Sequence, residues 1–600
     1  MDPSDTELSE RQTRHGLLVA FGEFCKATGW MEGLQSVRIP QKVQSKAGAV
    51  TPQSKLIELS AGILAGIEYL QDLSLGAQPI AKDRVVADAW GQARFVHASN
   101  VSRTLDACDA TTLSDLQAAI DRFNRPFIVE ALHEEIRSGR EITLDVDLTG
   151  QPVSSTSQTY PEAAFGFMNQ EVRLGYQLAR VCVQTARYGR LWLAGFHHPG
   201  DTVSVNCLKE LVLAAEEQAG LRPRRRSELV DHRLASLGAT RQHWEDRCRQ
   251  TTTRLTTLAT QRDRLLGRRY HLEQLAQQAT QPSRKAYISR LIATTSRQLP
   301  RLEQRQAAGQ ALATRQRARV QQFETEYAEG QAWQAQLVAD NAQVPNAPIC
   351  VCRSDAGFCS GENLAWLIEM GYQVETKSSS GKLTAALKTR CTDQTSWTDV
   401  GKNAQMVDWT EYVLYQCAYP VRVGLERFSI GHPRTKYSVL ITYRDDPLPR
   451  PTVRDWFNHY NGRQVIEAGN KQMKTVYHVQ HLFSHAKAGL QIQVMLTGWA
   501  CNVTQFIQPW LQAAAEPFTT SVKADLSSPK TMVRVLANTP ASVQHTSWST
   551  IVVFDAASSR PGLKLCLHGY PLHQLNLGLF QPFQITSDSL IRPVVAQPLR

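Results

Sequence analysis

No run of 18 apolar residues occurs anywhere in the 600-residue chain, so no membrane-spanning helix is expected. The first residues, MDPSDTELSERQ, are acidic and polar and lack the basic-then-apolar order of a secretory signal. The expected setting is therefore the cytoplasm. Cysteine is sparse, 12 in 600, and no CxxC finds a matching second pair. That excludes a zinc ribbon and a disulfide scaffold. Cys350, Cys352 and Cys359 cluster, but Cys350 and Cys352 share a buried-strand pattern and read as small apolar residues. Lysine is nearly missing from one long segment: among 22 basic residues in 222–340, only Lys285 is a lysine.

That segment also holds 11 acidic residues, which leaves it at +11, equal to the net charge of the whole chain. The positive excess of the protein is thus concentrated there. A surplus of this size suggests an acidic partner, and nucleic acid is the commonest large one. Leu234, Leu237, Arg241, Trp244, Cys248, Thr251, Leu255, Leu258, Arg262, Leu265, Arg269 and Leu272 follow a 3-4 spacing whose positions are mostly Leu, Trp and Cys, as in an imperfect coiled coil. A break at Gln281-Pro282-Ser283 predicts an antiparallel helical hairpin with arms of roughly 75 Å. Its arginines serve either to grip phosphate or as the solvated face of a dimerising coiled coil.

The length calls for three to five domains or subdomains. Residues 1–130 read as helical, with helix periodicity over Leu56–Asp72. Ser99, Asn100 and Ser102 could cap a short helix near Arg103, which suits a DNA-reading helix-turn-helix or a plain helical subdomain. Strand and helix patterns then alternate, so a mixed α/β core is expected in three parts: 131–221, 346–394 and 447–512. The arginine-rich hairpin at 222–345 and a β-rich stretch at 395–446 interrupt it. A C-terminal domain with strands occupies 513–600.

The chemistry starts from the pattern Thr452–Lys474, which predicts one long helix. At about 100° per residue, Tyr460, Arg463, Glu467 and Lys474 fall within an arc of about 60°, and Lys471 extends the stripe. Such a stripe is ordinarily a solvated face with charge pairs. Two other acids raise its standing. The strand pattern 141–149 (EITLDVDLT) puts Asp145 and Asp147 on one face. Asp355 follows the apolar run PICVCR, at the edge of a sheet where ligands bind. Three carboxylates of this kind are what two-metal phosphoryl chemistry uses, and oxygen donors favour Mg²⁺ or Mn²⁺.

The pattern Tyr460-(2)-Arg463-(3)-Glu467-(6)-Lys474 resembles the Tyr-Arg-Glu-Lys signature of bacterial insertion-sequence DDE transposases. Leu144-Asp145-Val146-Asp147-Leu148-Thr149 looks like that family's first-aspartate strand, and Arg353-Ser354-Asp355-Ala356-Gly357-Phe358 like its second-aspartate motif. The resemblance implies a ribonuclease-H-like catalytic core carrying a β-rich insertion, beside an all-α N-terminal domain. The long hairpin insertion exceeds what the family implies. Asp145 and Asp147 both remain candidates for the first acid; the family's acid stands two before a Thr, which favours Asp147. The resemblance implies that Asp147, Asp355 and Glu467 hold two Mg²⁺ or Mn²⁺ ions. Tyr460, Arg463, Lys471, Lys474 and Arg103 would contact DNA. It also implies a prokaryotic, nucleoid-associated homodimer that cleaves its element's terminal inverted repeats and joins the 3′ ends to double-stranded target DNA. Some relatives flip a base onto an aromatic in the β insertion; Trp397 and Trp409 are candidates, with burial the simpler reading. A domesticated derivative that binds or nicks DNA without transposing is the alternative.

Overall fold

A computed structural model of the chain describes residues 10–40, 49–168, 170–344, 347–429, 435–445, 450–555 and 560–569. It is a mixed α/β protein that divides into two compact units, Arg225–Pro345 and the remainder of the chain. Among the described residues no helix is long and apolar enough to cross a membrane.

The first 130 residues are mostly helical but not wholly so. Strand β1 (Glu10–Thr13) pairs antiparallel with a strand at Ala541–His545. A four-residue polar strand whose partner lies more than 500 residues away leaves no local pattern, so the all-helical expectation missed it. Helix α1 (Gly16–Ala27) follows, then α2 (Pro52–Leu64), capped by Thr51 with a proline at its first turn. The expected continuation of α2 to Asp72 does not occur. Gly66 adopts φ +67°, and Ile67 N–H bonds back to the Gly62 carbonyl at 3.2 Å, which closes the helix in a left-handed C-terminal turn. Helix α3 (Ala98–Ala107) is capped by His97, whose ring accepts from Ser99 N–H, rather than by Ser99, Asn100 or Ser102. Helix α4 (Ala110–Arg137) opens with a reciprocal capping box between Asp109 and Thr112.

Strand β2 (Ile142–Pro152) is buried over its first six residues, as a central strand must be. Strands β3 (Ala164–Met168), β4 (Glu171–Thr185) and β5 (Gly189–Pro199) form an antiparallel meander beside it, and helix α5 (Ser204–Ala219) follows.

The second unit is a pair of helices, α6 (Ser227–Gln278) and α7 (Pro282–Ala342), packed along each other. Leu272, Ala279 and Ile288 form an apolar cluster at the tip. Gly309 and Gly330 face Leu255 and Leu234 so closely that a β-carbon there would meet them at 2.7 Å. At its base Arg225 and Asp340 form a buried ion pair at 3.0 Å.

The first unit resumes with β6 (Cys350–Arg353), α8 (Gly361–Glu369), β7 (Gln373–Ser378) and α9 (Gly381–Arg390). Strands β2, β6 and β7 are parallel neighbours, with Asp145 opposite Arg353. Four more strands, β8 (Thr398–Gly401), β9 (Ala404–Tyr412), β10 (Val421–Ser429) and β11 (Thr435–Tyr443), continue the same sheet beyond β7. The β-rich stretch therefore extends the core sheet to ten strands instead of forming a body of its own. Trp397 and Trp409 within it are half-buried, and the Arg427 guanidinium lies 4.0 Å from the Trp397 ring centroid.

Helices α10 (Val453–Asn461) and α11 (Gln464–Thr475) then replace the single long helix that the pattern predicts. At Gly462 and Arg463 the bonding tightens to i→i−3, with Arg463 N–H on the Tyr460 carbonyl at 3.0 Å and Ile466 N–H on the Arg463 carbonyl at 2.8 Å. Helix α12 (Lys487–Phe506) is apolar almost all round and packs between the sheet and the N-terminal helices. Trp499 stacks on Trp30 at 4.4 Å and Phe506 on Phe127 at 4.3 Å. Burying a side chain such as Phe506 stabilises by about 1.5–3 kcal/mol. Asn502 of α12 both accepts from Trp192 N–H and donates to its carbonyl, each at 2.8 Å, beside the bulge in β5. The described C-terminal part adds β12 (Ala515–Glu516), β13 (Ala541–His545), β14 (Ser549–Phe554) and β15 (Lys564–His568), which with β1 make a five-stranded sheet.

Candidate functional site

Parallel pairing decides where the acids stand. Asp145 and Arg353 are in register on β2 and β6. Asp147 and Asp355 each lie two residues further on: Asp355 just past the carboxyl end of β6, where open α/β sheets bind ligands, and Asp147 within β2 but beyond its last residue paired with β6. Asp355 is held by its own turn: its Oδ1 accepts Gly357 N–H at 2.9 Å, and its carbonyl accepts the Thr376 hydroxyl at 3.1 Å. A β-carbon on Gly357 would meet Ser204 Oγ at 2.7 Å, so a larger residue in this turn requires the Ser204 side chain to move.

The two candidates for the first acid have different surroundings. Asp145 is fully buried, and the Arg353 fork donates to both its oxygens, at 2.7 and 2.9 Å. Arg353 also donates to the His459 carbonyl. Asp147 accepts from Arg463 Nη1 at 3.4 Å and from the Asn470 side-chain amide. It faces the helix pair; Asp145 faces a partner that takes both its oxygens.

Arg463 is the hub. Its other terminal nitrogen lies 3.6 Å from Oε1 of Glu467. Burial opposes the Arg463 charge, but Tyr460, Asp147, Asp355 and Glu467 together outweigh burial and raise its pKa. Burial also pushes the Asp355 carboxyl upward, the Asp147 charge adds to this, and Arg463 counters it. Asp147 and Asp355 therefore repel one another. Glu467 stands at the rim with its side chain 65% exposed. Among the described residues the three acids do not all come within 4.8 Å of one another.

The other sequence candidates divide. Lys474 reaches the Gly150 carbonyl at 3.4 Å; burial lowers its pKa and the Asp147 charge opposes that. Tyr460 is buried among Val400, Met406, Leu440 and Trp456, and its hydroxyl donates to the Ser354 carbonyl at 3.3 Å. Burial pushes its pKa up to about 12. It supports the Asp355 turn from within and does not stand at the surface. Lys471 is exposed on α11. Arg103 is exposed on α3, where its charge is felt by Lys55.

Three residues outside the sequence motifs help build the site. Asn470 falls at about 280° on the same wheel, just outside the charged stripe. Its side-chain oxygen is buried with no partner among the described residues. Arg180 lies directly opposite Asp147 on β4 and is buried; it donates to the Ile466 carbonyl and to Met473 Sδ. Arg190 of β5 donates to the Val465 carbonyl and, at 3.1 Å, to Gln472. These two arginines bind the start of α11 to the sheet. The signal that could have found Arg180 is an arginine inside the run 178–183, LARVCV, otherwise made of Leu, Ala, Val and Cys.

No family model matches the chain, and no curated protein matches it. Among solved structures it is similar to a piggyBac transposase, seen by cryo-EM in a synaptic complex with hairpin DNA. The match is 9% identical, covers 88% of this chain and 82% of that one, and has a TM-score of 0.35. So distant a likeness decides neither fold nor chemistry.

The donor set fits hard divalent cations. Asp147, Asp355 and Glu467 offer only oxygen, which suits Mg²⁺ or Mn²⁺. The repulsion between Asp147 and Asp355, and the unpartnered Asn470 oxygen beside Asp147, suit a site that takes up positive charge beyond that of Arg463 and Lys474.

Proposed function

We propose that the chain is a DDE-type DNA transposase that cleaves double-stranded DNA at the ends of its element and joins the 3′ ends to target DNA. One observation carries the proposal. Asp147 and Asp355 each stand two residues beyond the last paired residues, Asp145 and Arg353, of the adjacent parallel strands β2 and β6, with Arg463 linking Asp147 to Glu467. A ribonuclease-H-like core is supported by the mixed sheet in which the parallel pairing of β2 with β6 stops just short of these acids.

In this reading Asp147, Asp355 and Glu467 hold two Mg²⁺ or Mn²⁺ ions. When bound, these supply charge stabilisation to the attacked phosphate and lower the pKa of the attacking hydroxyl. Arg463 offsets the charge of Asp147 and Glu467, and its planar fork would suit a DNA phosphate. Asn470 and Arg180 position Asp147 and α11. Lys474, and the exposed Lys471 beside it, would contact the DNA backbone. Arg103 would contact DNA from the N-terminal helices. A homodimer is proposed because two element ends must be worked on together. The excess positive charge of 222–340 supports a nucleic-acid partner.

The test is divalent-ion-dependent cleavage of duplex DNA carrying the sequences that flank the gene. Loss of an ion ligand forfeits several kcal/mol of charge stabilisation, and each 1.4 kcal/mol is tenfold. Asp355→Ala and Glu467→Ala should therefore cleave at least about 100-fold more slowly. Variants as active as the parent would overturn the proposal.

A further inference from the structure

A second cluster of ligating side chains lies outside the acidic site. Among the described residues, Glu68, His478 and His481 are the one set of three His, Cys, Asp or Glu side chains whose ligand atoms all lie within 4.8 Å of one another. Glu68 belongs to the turn after α2, and the histidines to the segment between α11 and α12. Nδ1 of His481 is 3.5 Å from Oε1 of Glu68 and 3.2 Å from the Glu68 carbonyl oxygen, a contact that ion binding would replace. A tetrahedral ion with bonds of about 2.0–2.2 Å separates its ligand atoms by about 3.4 Å. That pair is already at ligating separation, and the His478 ring needs to close by at most about 1.4 Å.

Both segments are fastened in place. Asp72 accepts the backbone N–H of Glu68 at 3.1 Å and of Tyr69 at 2.8 Å. Asn538 donates to the Ala65 carbonyl at 2.8 Å, and Arg534 to the Thr475 carbonyl at 3.1 Å. Gln493 donates to the His481 carbonyl at 2.7 Å. The Tyr69 ring stacks on the His481 imidazole at 4.6 Å. His478 is held at φ +49°, in the left-handed region that a β-carbon disfavours. Strain of this kind persists where surrounding contacts over-determine it, and it concentrates at ligand sites. His478 is buried while the Glu68 side chain is 49% exposed, so the cluster has a buried side and an open one.

We propose that Glu68, His478 and His481 bind one borderline divalent cation of the zinc class, with water or a further donor in the fourth position. Two imidazoles and one carboxylate select Zn²⁺, Co²⁺ or Ni²⁺, in contrast to the all-oxygen donors of Asp147, Asp355 and Glu467. The ion ties the turn after α2 to the segment leaving α11, the helix that carries Glu467. It therefore stabilises the fold by mass action.

Titration of the full-length protein with Co²⁺ tests this. The expected result is one equivalent giving visible absorption of tetrahedral type, without the near-ultraviolet band of thiolate ligation, and a higher thermal midpoint in saturating Zn²⁺. Glu68→Gln and His478→Asn should each lose at least about tenfold in affinity, on the scale of damage to a ligand shell. Asparagine tolerates the left-handed backbone at 478. Glu68→Gln, in an exposed turn, keeps the test readable if His478→Asn misfolds. His545→Asn, at a histidine paired with Thr550, should bind as the parent does. A thiolate band, parental affinity in the Glu68 variant, or no binding at all would overturn the proposal.

Discussion

Asp145 and Asp147 point to the same face of one strand, a single pleat apart, yet they differ in almost every respect that matters. Asp145 lies inside the sheet, opposite an arginine on the neighbouring parallel strand that takes both of its oxygens. Asp147 lies where that neighbour has already turned away, and its partners come from a helix pair laid across the strand end. The first carboxylate is compensated at short range and has nothing left to offer. The second faces a like charge on Asp355 and shares its arginine with Glu467. What distinguishes Asp147 is that both its partners, Arg463 and Asn470, come from the helical segment and not from the sheet.

The largest expected effect falls on the compensated side. Asp145→Ala leaves Arg353 charged and buried, and should cost about 3–5 kcal/mol of stability in urea unfolding. Asp145→Leu combined with Arg353→Met should recover most of that loss, since an apolar pair of similar volume replaces a buried ion pair at little cost. Recovery of cleavage activity with stability would confirm that the pair is architectural. Next, Asp147→Ala should lower cleavage at least about 100-fold, because an ion ligand is gone, while unfolding stays near the parental midpoint. The reverse pattern, with Asp147→Ala unstable and Asp145→Ala inactive but stable, would invert the assignment of the two positions.

A smaller effect separates the two by sign. The Asp355 pKa is raised, first by burial and then by Asp147. The folded state thus holds this proton more tightly than the unfolded chain does. Its contribution to stability declines as pH rises from the ordinary carboxylate value through the raised one. At neutral pH the cost is complete, so Asp355→Asn should be more stable than the parent in ion-free buffer. The gain should vanish in acid, below the unfolded value. Asp145→Asn should be less stable than the parent at neutral pH. Thermal melts of both variants across pH decide it. The smallest effect concerns the arginine-rich unit. Arg264, Arg268, Arg315 and Arg317 are exposed on its helices. If they hold phosphate, changing them to Gln reduces the slope of log affinity against log salt by about one for each phosphate no longer neutralised. An unchanged slope would assign the hairpin to another task, such as dimerisation.

Much of the candidate site was legible locally. β-branched residues in alternation marked β2, the apolar run PICVCR marked β6, and the hydrophobic repeat with Gln281-Pro282 marked the hairpin. These signals survive because they arise from side-chain periodicity within one element. The helix bearing Glu467 was legible as a charged stripe, but its division at Gly462 was not. That turn is accommodated by the Arg353 guanidinium, which lies 2.8 Å from where a Gly462 β-carbon would be and donates to the His459 carbonyl. The same division explains why Tyr460 reads as a surface residue in the sequence. On a continuous helix it shares a face with Glu467, whereas on α10 it turns into the cluster around Trp456.

By itself the sequence determined which residue types were available: three acids in order, an arginine-rich segment with almost no lysine, and two histidines spaced by three. Those are covalent facts, and local periodicity assigns most of them to a helix or a strand. Only the tertiary structure decided which of them meet. Register between β2 and β6 consumed Asp145 and spared Asp147. A strand at residue 10 joined a sheet made mostly beyond residue 514, and the turn at Glu68 came to rest against His478 and His481. Such contacts depend on pairings hundreds of residues apart, for which no short window of the chain carries a signal.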